Sequence, residues 1–319
     1  MKPVVVLSNA PEQCLTFAWR GRDYHVGYRF VEGQPLTSDT PLSGYESQPA
    51  AAPATLSPLD QIEAIAPRAD WWLENWTSVY NEPDANASVQ LSFRAYGDGS
   101  ARCTTAENGG KLTRDFLFQP VDDGVWISIR LTTTEPIEGA YCLQQCLRYT
   151  GGFNATWRQS VARVLFLSEL DMQAMGNPNQ SLTYARRDDR WFRFPVGHTV
   201  YATQIGRDLL PDSSLPPVDH GLIIRESPSR KEAPQSYWDH VAPDAHWDQV
   251  ASGMYWERTA SVSNRHPADC LHAWIDFGPL DAGQSRTLRG KFYFIEGTRD
   301  DLLAAWRKDF SSTDNVCTS

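Results

Sequence analysis

Three stretches of this sequence put residues able to move protons or grip a ring at alternate positions. DCLHAWIDF, residues 269–277, sets His272, Trp274 and Asp276 against Leu271, Ala273 and Ile275. YCLQQCLRY, residues 141–149, sets Gln144 and Arg148, with Cys142 and Cys146, against Leu143, Gln145 and Leu147. VWISIRLT, residues 125–132, sets Trp126 and Arg130 against Val125, Ile127, Ile129 and Leu131. Histidine titrates near neutral pH and can pass a proton. Tryptophan offers an apolar face to a ring, Arg, Asn, Gln and Asp bond its hydroxyls, and Arg also forks onto a carboxylate.

This inventory suits a carbohydrate, an acidic one included, handled by general acid–base chemistry as in an epimerase, lyase or glycosidase. In that reading His272 transfers the proton and Glu257 or Asp276 orients or assists. Arg148 and Arg130 hold an anionic or hydroxylated group. Gln144, Trp126, Arg158, Asn264, His266 and Trp274 line the ligand, with Trp157, Trp238 and Trp256 as stacking walls. The rival reading is a carbohydrate-binding β-sandwich module without turnover, which needs the same aromatic face but no paired acid and base. A third is an aromatic face that packs against another copy of the chain, giving a homo-oligomer.

Other chemistries have weaker signatures. Cys142 and Cys146 have a C-x3-C spacing, but no second Cys or Cys/His pair matches it for a structural zinc site. Asp239, His240 and His246 crowd into YWDHVAPDAHWDQV, so a divalent metal there is the alternative to a solvated loop. Otherwise no cofactor is expected. The sequence has no nucleophile elbow, no phosphate-cradling loop and no glycine fingerprint for a dinucleotide.

The elements that must position these residues follow from the period of two, which predicts antiparallel strands with one buried face. VQLSFRAY, residues 89–96, alternates in the same way. For YCLQQCLRY a short helix would also align the two thiols, but flanking glycines and neighbouring strands favour the sheet. The second face of these strands is expected to be a polar, aromatic surface open to water. Residues 15–19 and 24–30 read as a hairpin, and TYARRDDRWFRF as another turning at 187–190. GMYWERTASVSN reads as one long strand, and DWWLENWTSVYNEP as an irregular segment before a strand. Residues 33–58 read as a loop or linker, and 195–250 as a loop-rich insertion folded over one face, with GLIIRES a strand inside it. TWRQSVARVLFLSELDMQAM could hold a turn or two of helix. TRDDLLAAWRKDF has acidic residues early and basic ones late, the order that suits a helix dipole.

Composition narrows the partners. Formal charge is −10, with 29 Lys and Arg against 39 Asp and Glu, so there is no basic footprint for nucleic acid or an anionic membrane. The chain carries 12 Trp, 12 Tyr and 13 Phe, enough for a large aromatic core, a ligand cleft, or both. Six cysteines in 319 residues read as free thiols. The first apolar run, in MKPVVVLSNA, is shorter than the about 7–15 residues of a secretory signal. The expected location is cytoplasmic, or secreted or periplasmic if a signal has been removed.

The run CLHAWIDFGPLDAGQSRTLRGKFYFIEGTRDDLLAAW joins a strand, a GPLDAGQS turn, a second strand ending YFIEGT, and a helix. It resembles the closing strands of the galactose-mutarotase-like β-sandwich superfamily. The resemblance implies two broad antiparallel sheets with sugar on a concave face. It transfers no catalytic residue, because no motif aligns one; His272 and Glu257 come from strand position. The expected fold is one all-β domain over residues 1–319, a large antiparallel β-sandwich of supersandwich type with a short C-terminal helix.

Overall fold

Alternation has built two antiparallel sheets. The structure, a computed structural model, describes residues 3–7, 14–19, 24–35, 71–79, 88–148, 183–194, 199–202, 217–226, 249–265 and 270–310. In chain order the strands are β1 (Val4–Leu7), β2 (Cys14–Trp19), β3 (Tyr24–Pro35), β4 (Trp71–Val79), β5 (Ser88–Ala95) and β6 (Ala101–Glu107). They continue with β7 (Leu112–Val121), β8 (Gly124–Thr133), β9 (Tyr141–Arg148), β10 (Thr183–Arg187), β11 (Arg190–Arg193) and β12 (Thr199–Tyr201). The last are β13 (Ile223–Glu226), β14 (Val250–Trp256), β15 (Thr259–Arg265), β16 (Cys270–Asp276) and β17 (Ser285–Glu296), followed by helix α1 (Arg299–Phe310). One sheet has seven strands in the order β1-β2-β3-β9-β16-β15-β12. The other has ten, β11-β10-β13-β14-β17-β8-β7-β6-β5-β4. The all-β sandwich with its C-terminal helix is as the alternation predicts.

The core lies between the sheets. On β8 Val125, Ile127, Ile129 and Leu131 are wholly buried, while the intervening residues point away. From the seven-stranded sheet Phe17 meets Phe118, Phe292 and Phe294 of the ten-stranded one, with the Phe17 and Phe292 centroids 5.5 Å apart at a steep angle. Such edge-to-face contacts suit the ring quadrupole. Two buried polar ties also cross the core. Arg225 of β13 donates to Asn264 Oδ1 of β15 at 3.0 Å, and Arg114 of β7 donates to the Tyr141 hydroxyl of β9 at 3.2 Å.

Several expectations are corrected here. Residues 33–35 belong to β3 rather than to a loop, and Trp71–Val79 is a strand, bulged between Leu73 and Trp76. GMYWERTASVSN is two strands, because the chain turns at Glu257 and Arg258 and passes from the ten-stranded sheet to the seven-stranded one. The loop-rich region contains an unexpected strand, β12, besides the expected strand in GLIIRES, β13. The hairpin in TYARRDDRWFRF is present, with Asp188 and Asp189 both at positive φ, as a primed two-residue turn requires. The expected helical turns after Thr156 lie outside the described residues. No helix among the described residues is long and apolar enough to cross a membrane.

Helix α1 packs on the outer face of the ten-stranded sheet, where Leu302, Leu303 and Phe310 meet Leu222, Ile224, Ala251 and Tyr293. Its N-terminus is a capping box: Thr298 Oγ1 accepts from Asp300 N at 3.2 Å, and Asp301 Oδ2 accepts from Thr298 N at 2.7 Å. The bonds that Asp301 Oδ2 accepts from the Thr298 backbone N–H and from the Thr298 hydroxyl hold its carboxyl below the usual carboxylate range. Beneath the helix, Lys291 is almost fully buried. Its ammonium donates to Asp123 at 2.6 Å and to Asp309 of α1 at 2.7 Å. An unpaired ammonium there would cost several kcal/mol of desolvation, so the helix supplies a necessary counter-charge. Replacing Lys291 with Met is expected to lower stability by about 3 kcal/mol, the low end for a broken buried pair because both carboxylates keep some water. Thr298→Ala is expected to cost about 1 kcal/mol. Urea denaturation of the two variants checks both figures.

Candidate functional site

The central strands of the seven-stranded sheet, β9, β16 and β15, carry the largest set of expected site residues. YCLQQCLRY is a strand, not a helix. Leu143, Leu147, Leu271, Ala273 and Ile275 join the inter-sheet core. Gln144, Cys146, His272, Trp274, Asp276, Ser261 and Ser263 therefore share the other face. Register arranges them in rows. His272 stands opposite Cys146 on one side and Ser263 on the other, and Trp274 stands between Gln144 and Ser261. Arg148 lies two residues beyond Cys146 on β9, its backbone paired with Cys270.

The histidine is held from its own sheet. Gln144 Nε2 lies 2.8 Å from His272 Nδ1. An amide nitrogen only donates, so Nδ1 accepts and the ring hydrogen sits on Nε2. Two neighbours have polar atoms without protein partners: Ser263 Oγ and Trp274 Nε1 are buried and make no hydrogen bond. Buried hydroxyls and indole N–H groups are normally paired, so two orphans flanking one histidine are notable. This face is not open to water, contrary to expectation: Gln144 is 5% exposed, His272 8% and Trp274 3%. Alternation reports which side chains share a face. It carries no information about whether that face is covered.

The carboxylates expected beside His272 are engaged elsewhere. Asp276 lies four residues along β16, about 13 Å away at strand rise, with Trp274 between. Its two oxygens accept from Arg258 and from the Gly278 backbone, both at 2.7 Å. Glu257 lies in the turn after β14, where its oxygens accept from Arg289 N at 2.9 Å and from the Arg289 side chain. Burial drives the Cys142 thiol well above its ordinary pKa. The nearby Asp276 charge adds to the shift and Arg258 opposes it, so Cys142 is an inert thiol.

Other expected ligands separate from this group. Asn264 projects into the core, where it ties Arg225 to the Phe194 carbonyl. Trp256 is wholly buried and packs on Phe292 and against Gly290, where an added Cβ would come within 2.2 Å of the indole. It is a core residue, not a stacking wall. Burying an indole is worth about 4–6 kcal/mol from its area, enough to outweigh its unpaired Nε1. Trp126 and Arg130 share a face with each other but lie on the ten-stranded sheet, away from His272. Trp126 packs under α1, with its ring centroid 5.2 Å from that of Phe310. Trp157, Arg158, Trp238 and His266 lie outside the described residues, as do Asp239, His240 and His246 of the expected metal alternative. Among the described residues no cluster of His, Cys, Asp and Glu could hold a metal ion.

Arg130 leads to a group the sequence reading passed over. Its guanidinium donates to Asp115 Oδ2 at 2.6 Å, while Arg102 donates to Oδ1 at 3.0 Å and Thr104 to Oδ1 at 2.6 Å. Partial burial alone would raise the Asp115 carboxyl, but the bonds from Thr104, Arg130 and Arg102 outweigh it and hold the group below the usual carboxylate range. The signal was present in LTRDFLFQPV, where Thr113, Asp115 and Leu117 alternate with buried Arg114, Phe116 and Phe118.

No family model matches the chain, and no curated protein matches it. The expected likeness to the galactose-mutarotase-like superfamily thus gains no support from a family model. Among solved structures, the galactosidase domain of alpha-galactosidase-sucrose kinase, AgaSK, is similar over 72% of this chain, with 11% identity and a TM-score of 0.30. The match spans 27% of that chain, about a quarter of its length. A likeness of that degree assigns no function here.

Two measurements check these placements. Trp256→Ala is expected to cost about 3–5 kcal/mol in urea denaturation, as for an aromatic removed from a packed core. Asp115 has a depressed folded-state pKa, so its contribution to stability is present above the unfolded pKa and is lost as pH falls through the folded one. The stability gap between wild type and Asp115→Asn should therefore be open at pH 7 and close below the ordinary carboxylate range.

Proposed function

We propose that this protein binds a carbohydrate on the outer face of the seven-stranded sheet, around His272. The observation that supports the reading is the cluster of Gln144, His272, Ser263 and Trp274 on adjacent strands, with Ser263 Oγ and Trp274 Nε1 buried and unpaired. A hydroxyl-rich ligand supplies donors and acceptors for both, and for the Nε2 hydrogen that Gln144 leaves on the imidazole. Binding is favoured over turnover because, among the described residues, the nearest carboxylate on that face is Asp276, whose oxygens both accept from protein groups. A general acid–base mechanism needs a partner within hydrogen-bond reach.

Proton transfer by His272 is a second reading, favoured by one observation: Gln144 fixes the ring and its tautomer, as a working acid or base requires. In that case Arg148, one diagonal step away across β9 and β16, holds the substrate.

Titration calorimetry on a panel of neutral and acidic oligosaccharides tests the first reading. Ser263→Ala deletes one unpaired group and almost no volume; Trp274→Phe deletes the other together with part of the buried ring system, so its fold is checked first by urea denaturation. Each is expected to weaken sugar binding about 3–10-fold, the worth of one net hydrogen bond. If no saccharide binds, or if both variants bind as wild type does, the reading is wrong. Following the same panel for product by NMR, with His272→Ala as control, separates turnover from binding.

A further inference from the structure

We infer that the protein has a second ligand site, for a carboxylate-bearing saccharide, in the depression on the outer face of the ten-stranded sheet. This lies on the sheet opposite the His272 cluster and is independent of the reading above. The depression is shallow, about 540 Å³, and is floored by β6, β7, β8 and β17. Arg102, Asp115 and Arg130 stand on three successive strands, with Thr287 next to Arg130 on the fourth.

The donor arrangement points to an anion. Arg102 and Arg130 share the Asp115 carboxylate, and with Asp98 at the rim the lining holds two arginines and two aspartates, so the attraction is local to the guanidiniums. Each guanidinium gives Asp115 one N–H at hydrogen-bond distance and has no other partner among the described residues. A guanidinium has five such donors in a planar fork, so most remain available to a ligand. Asp115 also fixes both side chains, so the entropy of ordering two long arginines is lost on folding rather than on binding. Both are about half exposed, so a ligand can reach them.

The chemistry narrows the anion. With the charges of the lining balanced, a monoanionic carboxylate, which a guanidinium fork fits, is accommodated better than a phosphate monoester of nearly two charges. Asp98 at the rim, bonded to Ser100 Oγ at 2.6 Å, further disfavours a dianion. Ser128 and Thr287 supply hydroxyls beside the arginines, and Tyr96 with half-exposed Leu117 supplies apolar surface for a sugar ring. The volume is within the about 300–1,000 Å³ of small-ligand sites.

Galacturonate, galactose and inorganic sulfate are the probes, titrated into the full chain by calorimetry at low salt. Galacturonate, with its one carboxylate, is expected to bind wild type, more weakly as salt is raised, while galactose gives no heat attributable to this site. Arg102→Ala/Arg130→Ala is expected to lose galacturonate affinity at least 10-fold. Arg102→Lys/Arg130→Lys, which keeps charge and loses the fork, should lose about 3–10-fold. Lys111→Ala/Lys308→Ala removes two charges elsewhere and should stay within twofold of wild type. The inference is overturned if galacturonate does not bind, if the arginine-to-alanine variant binds as wild type, or if the lysine control loses as much. It is also overturned if sulfate competes as well as galacturonate at equal ionic strength, which would mean charge alone is recognised.

Discussion

The corner after β14 carries the rest of the architecture. Trp256 ends that strand with its ring laid on Gly290, a contact that any side chain at Gly290 would prevent. Three residues later, at Thr259, the chain has left one sheet and joined the other. Three interactions hold the change of direction: Thr259 Oγ1 donates to the Trp256 carbonyl at 2.8 Å, Arg258 pairs with Asp276 at 2.7 Å, and Arg258 also donates to the Asp276 carbonyl. The corner thus ties the start of β15 to the end of β16. Every residue of the His272 cluster that β15 and β16 contribute is placed by it. Asp276, which its sequence neighbourhood suggests as a catalytic acid, is an anchor of this corner.

The two outer faces differ in chemistry. Around His272 the side chains of Gln144, Cys146, Ser261, Ser263 and Trp274 are buried and uncharged. That face suits recognition by hydrogen bonds, which gain strength where water is excluded. The face around Asp115 is open and ionic, with side chains fixed by one another rather than by packing. It suits a ligand whose charge survives hydration. Lys291 shows a third use of charge on the same ten-stranded sheet, as a clamp for α1 rather than as a recognition element.

Much of the fold is legible in the sequence, because a half-buried strand must alternate. β8, β9 and β16 follow from their apolar positions, and α1 from its cap and charge order. Sheet membership is not legible. VWISIRLT and DCLHAWIDF alternate alike, yet one lies in each sheet, so a local pattern cannot say that Arg130 and His272 are apart. β4 escapes because its bulge breaks the alternation after Trp71, Trp72 and Leu73. The turn inside GMYWERTASVSN escapes because it uses Glu257 and Arg258, with Arg258 at a positive φ where glycine or asparagine would announce a turn. His272, Gln144 and Trp274 share one face as the alternation predicts, because that depends on register parity alone. Asn264 and Trp256 are misplaced by the same chain corner that the pattern could not reveal.

The bond between Gln144 and His272 joins residues 128 apart along the chain. β9 must be flanked by β3 and by β16, which arrive from far upstream and far downstream. Pairings of that span carry a large loop-closure entropy before any contact rewards it, which makes such topologies slow to form. Until β16 docks, β9 presents a naked edge rich in Cys, Leu and Tyr, the kind of surface on which nascent chains stick to one another. The cluster is consequently among the last parts of the molecule to exist, and yield on refolding will depend on dilution and on keeping the thiols reduced.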